Sequence, residues 1–173
     1  MWAYLLGVFT CSKVFGRKNM SGLRKLEGEV EIRATGADVH HDILKNKLHH
    51  LSNVASHFVH DVDLHEGDHG KLGSTHIWNY TLAGKPQKAK TVIKEVDEEK
   101  KYAKGQVIEG DLLDDYKTFY AASQVIPKDE ETSIVRWTFE YEKKHPGVPE
   151  PSALLDAWLD AIKHVDDHHH AQK

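Results

Sequence analysis

The feature that most constrains this chain is its last apolar-periodic stretch, residues 149–165, PEPSALLDAWLDAIKHV. Leu154, Trp158, Ile162 and Val165 recur at helical spacing, and Leu155 and Leu159 widen the stripe. Asp156, Asp160, Lys163 and Asp167 take the opposite side. The pattern predicts an amphipathic helix of about four turns whose broad apolar face must be buried against something. Pro151 suits a first helical turn, where its missing N–H costs nothing.

Most of what precedes this helix has the period of two that marks strands. Residues 23–34 alternate Leu26, Gly28, Val30 and Ile32 against charged neighbours, a half-buried strand. Gly36, Ala37 and Asp38 end it, and Asp38 is placed to cap a short helix over 39–48. A second short turn of helix covers 49–55. Strands are then expected over 58–64, 72–82, 88–96, 102–109, 116–126 and 133–142, punctuated by turn residues such as Gly67–Gly70 and Gly84-Lys85-Pro86. One strand, two short helices, six strands and a long helix describe an α+β fold, an antiparallel sheet wrapped around the final helix.

The inward faces carry the most informative pattern. The apolar side of the last strand is Val135, Trp137, Phe139 and Tyr141, which is bulky. Its neighbours offer Ala103, Gly105, Ala121 and Ser123, which cannot fill the space between a sheet and a helix. Protein interiors pack near crystal density. Either Trp137 and Trp158 close in locally, or a cavity remains, and small residues on adjacent strands favour the cavity.

Composition narrows the function classes. With 173 residues the chain suits one domain with a proper core. A net charge of -4 argues against nucleic acid as a partner. The single cysteine, Cys11, excludes an internal disulfide and a cysteine-based zinc site, and a cytoplasmic location follows as the expectation. Residues 1–19 read as an extraneous or disordered extension. Their apolar run lacks a leading basic region and is too short to span a membrane, so no stable membrane insertion is expected. A weak targeting segment or a membrane-touching tail are the alternatives.

Several motifs fail on inspection. Gly67, Gly70 and Gly73 form GxxGxxG, but Gly70-Lys71 is followed by Leu72 rather than Ser or Thr, and strands flank the loop. These glycines are expected to permit a tight strand connection. The fourteen histidines fall largely in adjacent pairs and runs, which do not share a helix face. They are expected to be solvated or capping, with no metal site and no cofactor.

Residues 66–85 (EGDHGKLGSTHIWNYTLAGK), 106–119 (QVIEGDLLDDYKTF), 124–128 (QVIPK) and 135–143 (VRWTFEYEK) resemble, in order and spacing, the major latex protein branch of the Bet v I superfamily, which holds the birch pollen allergen and the pathogenesis-related class 10 proteins. The likeness runs from Met20 to the end, so 20–173 is taken as the domain. It implies a helix-grip (START-like) fold: a curved seven-stranded antiparallel sheet, two short helices after the first strand, and a long C-terminal helix closing a hydrophobic cavity. It also implies carriage of amphipathic or hydrophobic small molecules such as lipids, sterols, flavonoids or hormones, linked to plant defence and stress. Two departures stand out. His69 occupies a position where the family commonly has Trp, so a more polar loop is expected, and Gly105 replaces a frequent Phe, so a larger pocket is expected where neighbours do not close in.

The expected protein is therefore a non-enzymatic binder of a hydrophobic ligand, a monomer or weak dimer, with no catalytic residues assigned. Val107, Phe119, Ala121, Val125, Val135, Trp137, Phe139, Leu154, Trp158 and Ile162 are expected as cavity walls, with Glu109 and Lys117 as polar points. The alternative is a cavity enzyme of secondary metabolism that uses Glu109, Lys117 and Tyr116 or Tyr120 for a condensation or isomerisation. Against it, Glu109 and Lys117 flank a turn and could simply pair or face water.

Overall fold

The computed structural model describes residues 15–18, 22–33 and 48–171. In chain order the elements are β1 (Phe15–Lys18), β2 (Arg24–Ile32), α1 (Leu48–Val54), β3 (Val59–Glu66), β4 (Thr75–Leu82), β5 (Lys85–Asp97), β6 (Tyr102–Gly110), α2 (Leu112–Asp115), β7 (Tyr116–Pro127), β8 (Ser133–Lys143) and α3 (Ser152–Ala171). The strands make one antiparallel sheet in the order β1-β2-β8-β7-β6-β5-β4-β3. Seven of them are those read from the sequence. The eighth, β1, pairs with β2 from Phe15 opposite Glu27 to Lys18 opposite Arg24. It belongs to the segment 1–19 expected to stand apart from the domain, and four residues of that segment extend the sheet. The rest of the segment, and 39–47 of the first expected helix, lie outside the described residues. The connection between the strands expected over 102–109 and 116–126 contains the four-residue helix α2.

Alternation dictates which face each strand buries. On β8, Ser133, Val135, Trp137, Phe139 and Tyr141 are buried while the residues between them are half-buried. On β2, Leu26, Gly28, Val30 and Ile32 are buried opposite them. The sheet curves around α3, which buries Leu154, Leu155, Leu159, Ala161, Ile162 and Val165. Gly28 marks the closest approach. A Cβ there would lie 2.7 Å from Leu159 Cδ1 and 3.3 Å from Leu155 Cδ2, so the helix rests directly on the β2 backbone.

Polar groups fix both ends of the helix. Near its N-terminus, Glu150 pairs with Arg24 at 2.7 Å and with Lys143, and accepts a hydrogen bond from the Tyr141 hydroxyl. Burial acts to raise the Glu150 carboxyl, but the hydrogen bonds from Lys143 and Tyr141 hold it below the ordinary carboxylate range. The Tyr116 hydroxyl donates to the Pro149 carbonyl at 2.8 Å. Near the C-terminus the buried Asp166 carboxylate accepts from the Arg33 backbone N–H at 2.9 Å and from Arg33 Nε at 3.1 Å. Arg33 directly follows β2, so this contact ties the last turns of α3 to the end of the strand that its middle lies upon.

The contrast between two inward glycines is testable. Gly28→Val is expected to destabilise the protein by about 1–3 kcal/mol through overpacking against Leu155 and Leu159. Gly105→Ala is expected to leave the urea midpoint unchanged or raised, because a Cβ there meets nothing nearer than Val92 O at 3.6 Å. Equilibrium urea unfolding of both variants measures the difference.

Candidate functional site

Register places the small residues side by side. Ala103 lies opposite Ser123, Ser123 opposite Trp137, and Trp137 opposite Gly28. In the next inward row, Gly105 faces Ala121, Ala121 faces Phe139, and Phe139 faces Leu26. Two adjacent rows thus run from small on β6 and β7 to large on β8. Helix α3 bridges the step, and a cavity of about 140 Å³ remains over the small end. Its walls include Ala103, Gly105 and Val107 of β6, Phe119, Ala121 and Ser123 of β7, and Trp137 and Phe139 of β8. Leu154, Trp158 and Ile162 of α3 close one side, and His76, Trp78 and Tyr80 of β4 close another.

Trp158 sets the size of this space. Its ring stacks on Trp137 with centroids 4.5 Å apart and planes 14° from parallel. Trp78 and Phe58 meet it edge-on, at 5.4 and 5.2 Å. One indole from the helix is therefore gripped by three aromatic rings from the sheet and its α1 flank. Such pairs add about 0.5–1.5 kcal/mol each beyond the area they bury. Trp78 Nε1 is satisfied by Thr91 Oγ1 at 2.9 Å.

The walls are apolar, but three of the residues that line them carry a buried polar atom with no hydrogen-bond partner among the described residues: Trp137 Nε1, Tyr80 Oη and His76 Nε2. Each is a group that normally finds a partner when buried. Burial, aided by nearby Asp111, pushes the Tyr80 phenol above its ordinary range, so it stays a neutral donor. Burial, and then the neighbouring His69, lowers His76 to about 4, which keeps its imidazole uncharged. The His69 ring lies 5.4 Å from that of His76. His69 itself sits in the loop where Gly67, Gly70 and Gly73 all adopt positive φ, the conformation that lets this connection turn so tightly. The loop is anchored to β5 by Gly73 N to Ile93 O and Ile93 N to Ser74 O, both 2.9 Å. The polar atoms on β4 had no signal in the sequence beyond the position of Tyr80 on an inward face.

Of the expected wall residues, eight border the cavity: Val107, Phe119, Ala121, Trp137, Phe139, Leu154, Trp158 and Ile162. Val125 and Val135 are buried but face each other, next to Val30, further along the sheet in the solid core. Glu109 and Lys117 do not supply polar points. Glu109 is exposed and lies 3.6 Å from Lys90, and Lys117 is exposed and pairs with Glu142 at 2.6 Å. The reason is a pair of β-bulges. Register shifts between Lys90 and Thr91 on β5 and between Tyr116 and Thr118 on β7. One extra residue reverses the alternation beyond it.

Comparison with known proteins agrees with this architecture. Residues 21–172 match the model of the pathogenesis-related protein Bet v 1 family. MLP-like protein 43 of Arabidopsis thaliana is 42% identical over 145 residues, covering 83% of this chain and 91% of that protein. MLP-like protein 34 of the same plant is also 42% identical, and the chain spans 45% of its length. Among solved structures, ginseng major latex-like protein 151 from Panax ginseng superposes with a TM-score of 0.80 at 35% identity, over 85% of this chain and 97% of that one. A norcoclaurine synthase from Thalictrum flavum shares the fold, with a TM-score of 0.68 at 21% identity over 91% of this chain and 99% of its own.

The buried neutral His76 carries a pH signature. Its folded pKa, about 4, is depressed from the ordinary 6.5, so between those values the unfolded chain holds more protons and stability rises with pH. The unfolding free energy is expected to fall as pH drops from 6.5 towards 4. His76→Phe is expected to flatten that slope in denaturant titrations at several pH values.

Proposed function

Because the chain belongs to the pathogenesis-related protein Bet v 1 family, we propose that it binds and carries uncharged, predominantly apolar small molecules in the cavity between β6, β7 and α3. The observation that carries this reading is the combination of an apolar cavity with three lining residues whose buried polar atoms, Trp137 Nε1, Tyr80 Oη and His76 Nε2, have no partner among the described residues. Ligand sites typically pair mostly apolar walls with a few polar groups that fix orientation. Here Trp137 and Tyr80 supply donors, which suit a ligand with neutral oxygen acceptors, a carbonyl or hydroxyl on a ring system. Among the described residues that line the cavity, none offers an unpaired charge to compensate an ionised group. Lys104 borders the cavity, but its ammonium lies 2.6 Å from a Glu140 carboxylate oxygen and 3.8 Å from one of Glu95.

The cavity of about 140 Å³, which is partly open, suits a single ring, and room for larger amphipathic ligands would come from Trp158 swinging off Trp137. Carriage of such compounds in plant defence or stress, in the cytoplasm, is the physiological setting this reading favours. Among the described residues, no helix is long and apolar enough to cross a membrane.

The enzymatic alternative draws less support. Its acid, lysine and tyrosine do not converge. Glu109 and Lys117 lie outside, and the Tyr116 hydroxyl is occupied by Pro149 O, with burial and nearby Asp115 and Glu150 pushing its pKa up to about 12. Tyr120 lies under the Lys104 ammonium, 5.0 Å from its ring centre.

The test is native mass spectrometry of the protein incubated with a set of neutral ring compounds and with their carboxylate analogues. Wild type is expected to retain neutral adducts and reject the carboxylates. Ala121→Trp, which fills the cavity floor, is expected to lose the adducts while keeping the wild-type circular dichroism spectrum. Undiminished adducts in that variant would remove the cavity as the binding site.

A further inference from the structure

We propose that His57, Asp160 and His164 form a surface site for a divalent transition cation of the zinc type, fastening α3 to the turn that leads into β3. The sequence reading expected solvated histidines and no metal. The fold brings together three that sequence spacing does not relate. Asp160 and His164 lie one turn apart on α3, the i, i+4 spacing that puts both side chains on one face. His57 comes from the other side, in the turn between α1 and β3, 103 residues away from Asp160 in the chain.

The geometry fits a tetrahedral ion. One ligand atom from each residue lies within 4.8 Å of the other two. His57 Nε2 is 3.0 Å from Asp160 Oδ2, and His164 Nδ1 is 3.5 Å from the same oxygen. Zinc bonds of about 2.0–2.1 Å to nitrogen and oxygen place neighbouring ligand atoms roughly 3.3–3.4 Å apart. The two spacings to Asp160 Oδ2 bracket that value, and the third pair of ligand atoms lies within 4.8 Å, a reach that side-chain rotation can adjust. Two imidazoles and one carboxylate are the donor set of an open zinc site, with water completing the tetrahedron. Imidazole donors also exclude magnesium and calcium, which take oxygen ligands.

Without metal, the three groups hold one another. His57 Nε2 hydrogen-bonds the Asp160 carboxylate, and His164 Nδ1 sits 2.9 Å from the Asp160 backbone carbonyl. The two rings lie 4.7 Å apart. Loading exchanges these contacts for coordination, and any proton on a ligating nitrogen passes to solvent. All three side chains are about half exposed, so an ion can reach them directly.

The placement gives the site a consequence. His57 precedes Phe58, whose ring meets Trp158 edge-on at 5.2 Å, and Asp160 lies just beyond Trp158 on α3. An ion bridging His57 to α3 therefore braces the contact that closes the cavity. That consequence rests on the cavity reading, but the site itself does not.

Titration of the full chain with zinc chloride, followed by calorimetry and thermal unfolding, tests the proposal. Wild type is expected to bind one zinc ion at this site with a saturable rise in midpoint, and magnesium chloride is expected to cause none. His57→Ala and His164→Ala, both at exposed positions, are each expected to weaken binding by more than about tenfold. A variant with His168, His169 and His170 all changed to Ala is expected to keep it. Absence of zinc binding, wild-type affinity in His57→Ala, or loss of binding only in the tail variant would each overturn the proposal. Ligand adducts measured by native mass spectrometry in the same His57→Ala protein report the cavity separately, so failure of one reading is distinguishable from failure of the other.

Discussion

The rest of the structure depends on the stacking of Trp158 upon Trp137. A sheet that curves around a helix must be joined to it somewhere near the middle, and here that join is one parallel indole pair with Trp78 and Phe58 closing around it. On the β2 side of this stack the packing is solid, to the point that Gly28 leaves no room for a methyl group. On the β6 side it is open. Trp137 lies between Gly28 and Ser123 in one cross-strand row, so the same side chain belongs to the core on one flank and to the cavity on the other.

A cavity costs stability, and the helix bordering it must be held by other means. The two ends of α3 supply them. Glu150 gathers Arg24, Lys143 and Tyr141 just before the helix, and Asp166 takes two donors from Arg33 near its end. Charge-assisted hydrogen bonds of this kind are among the stronger polar contacts in proteins. With its ends anchored, the central turns need not bury every apolar atom against the sheet. An empty space can then persist beneath Leu154, Trp158 and Ile162. The proposed cation site lies beside this arrangement, between the exposed flank of α3 and the turn before β3. It would add a third fastening where the described contacts are aromatic.

Much of this was legible in advance because the two periodicities are local. Alternation along β2 and β8 identified the buried faces correctly, down to Val135, Trp137, Phe139 and Tyr141. Counting side-chain volume on neighbouring strands pointed to a void at Ala103, Gly105, Ala121 and Ser123, and all four border the cavity. The misreadings of Glu109 and Lys117 share one cause. Glu109 and Lys117 were assigned inward by extrapolating parity across positions where the ladder slips by one residue. A bulge is set by the pairing of two strands, so the sequence of one strand does not announce it. Val125 and Val135 were correctly read as buried. What parity could not supply is distance along the sheet, and they lie beyond the end of the cavity.

The sequence by itself determined the type and order of the strands from β2 to β8 and of the final helix, the buried faces of β2 and β8, and the apolar stripe of that helix. Each of these follows from residues within a few positions of one another. Only the tertiary structure decided which buried residues border empty space, which polar atoms are left without partners, and which exposed residues meet. His57 and Asp160 are 103 positions apart, and nothing in either neighbourhood encodes the other. Their 3.0 Å contact comes from where the turn before β3 sits against α3. The helix first read as an apolar stripe in need of a sheet thus serves three surfaces: a packed one over Gly28, an open one over Gly105, and a polar one that faces His57.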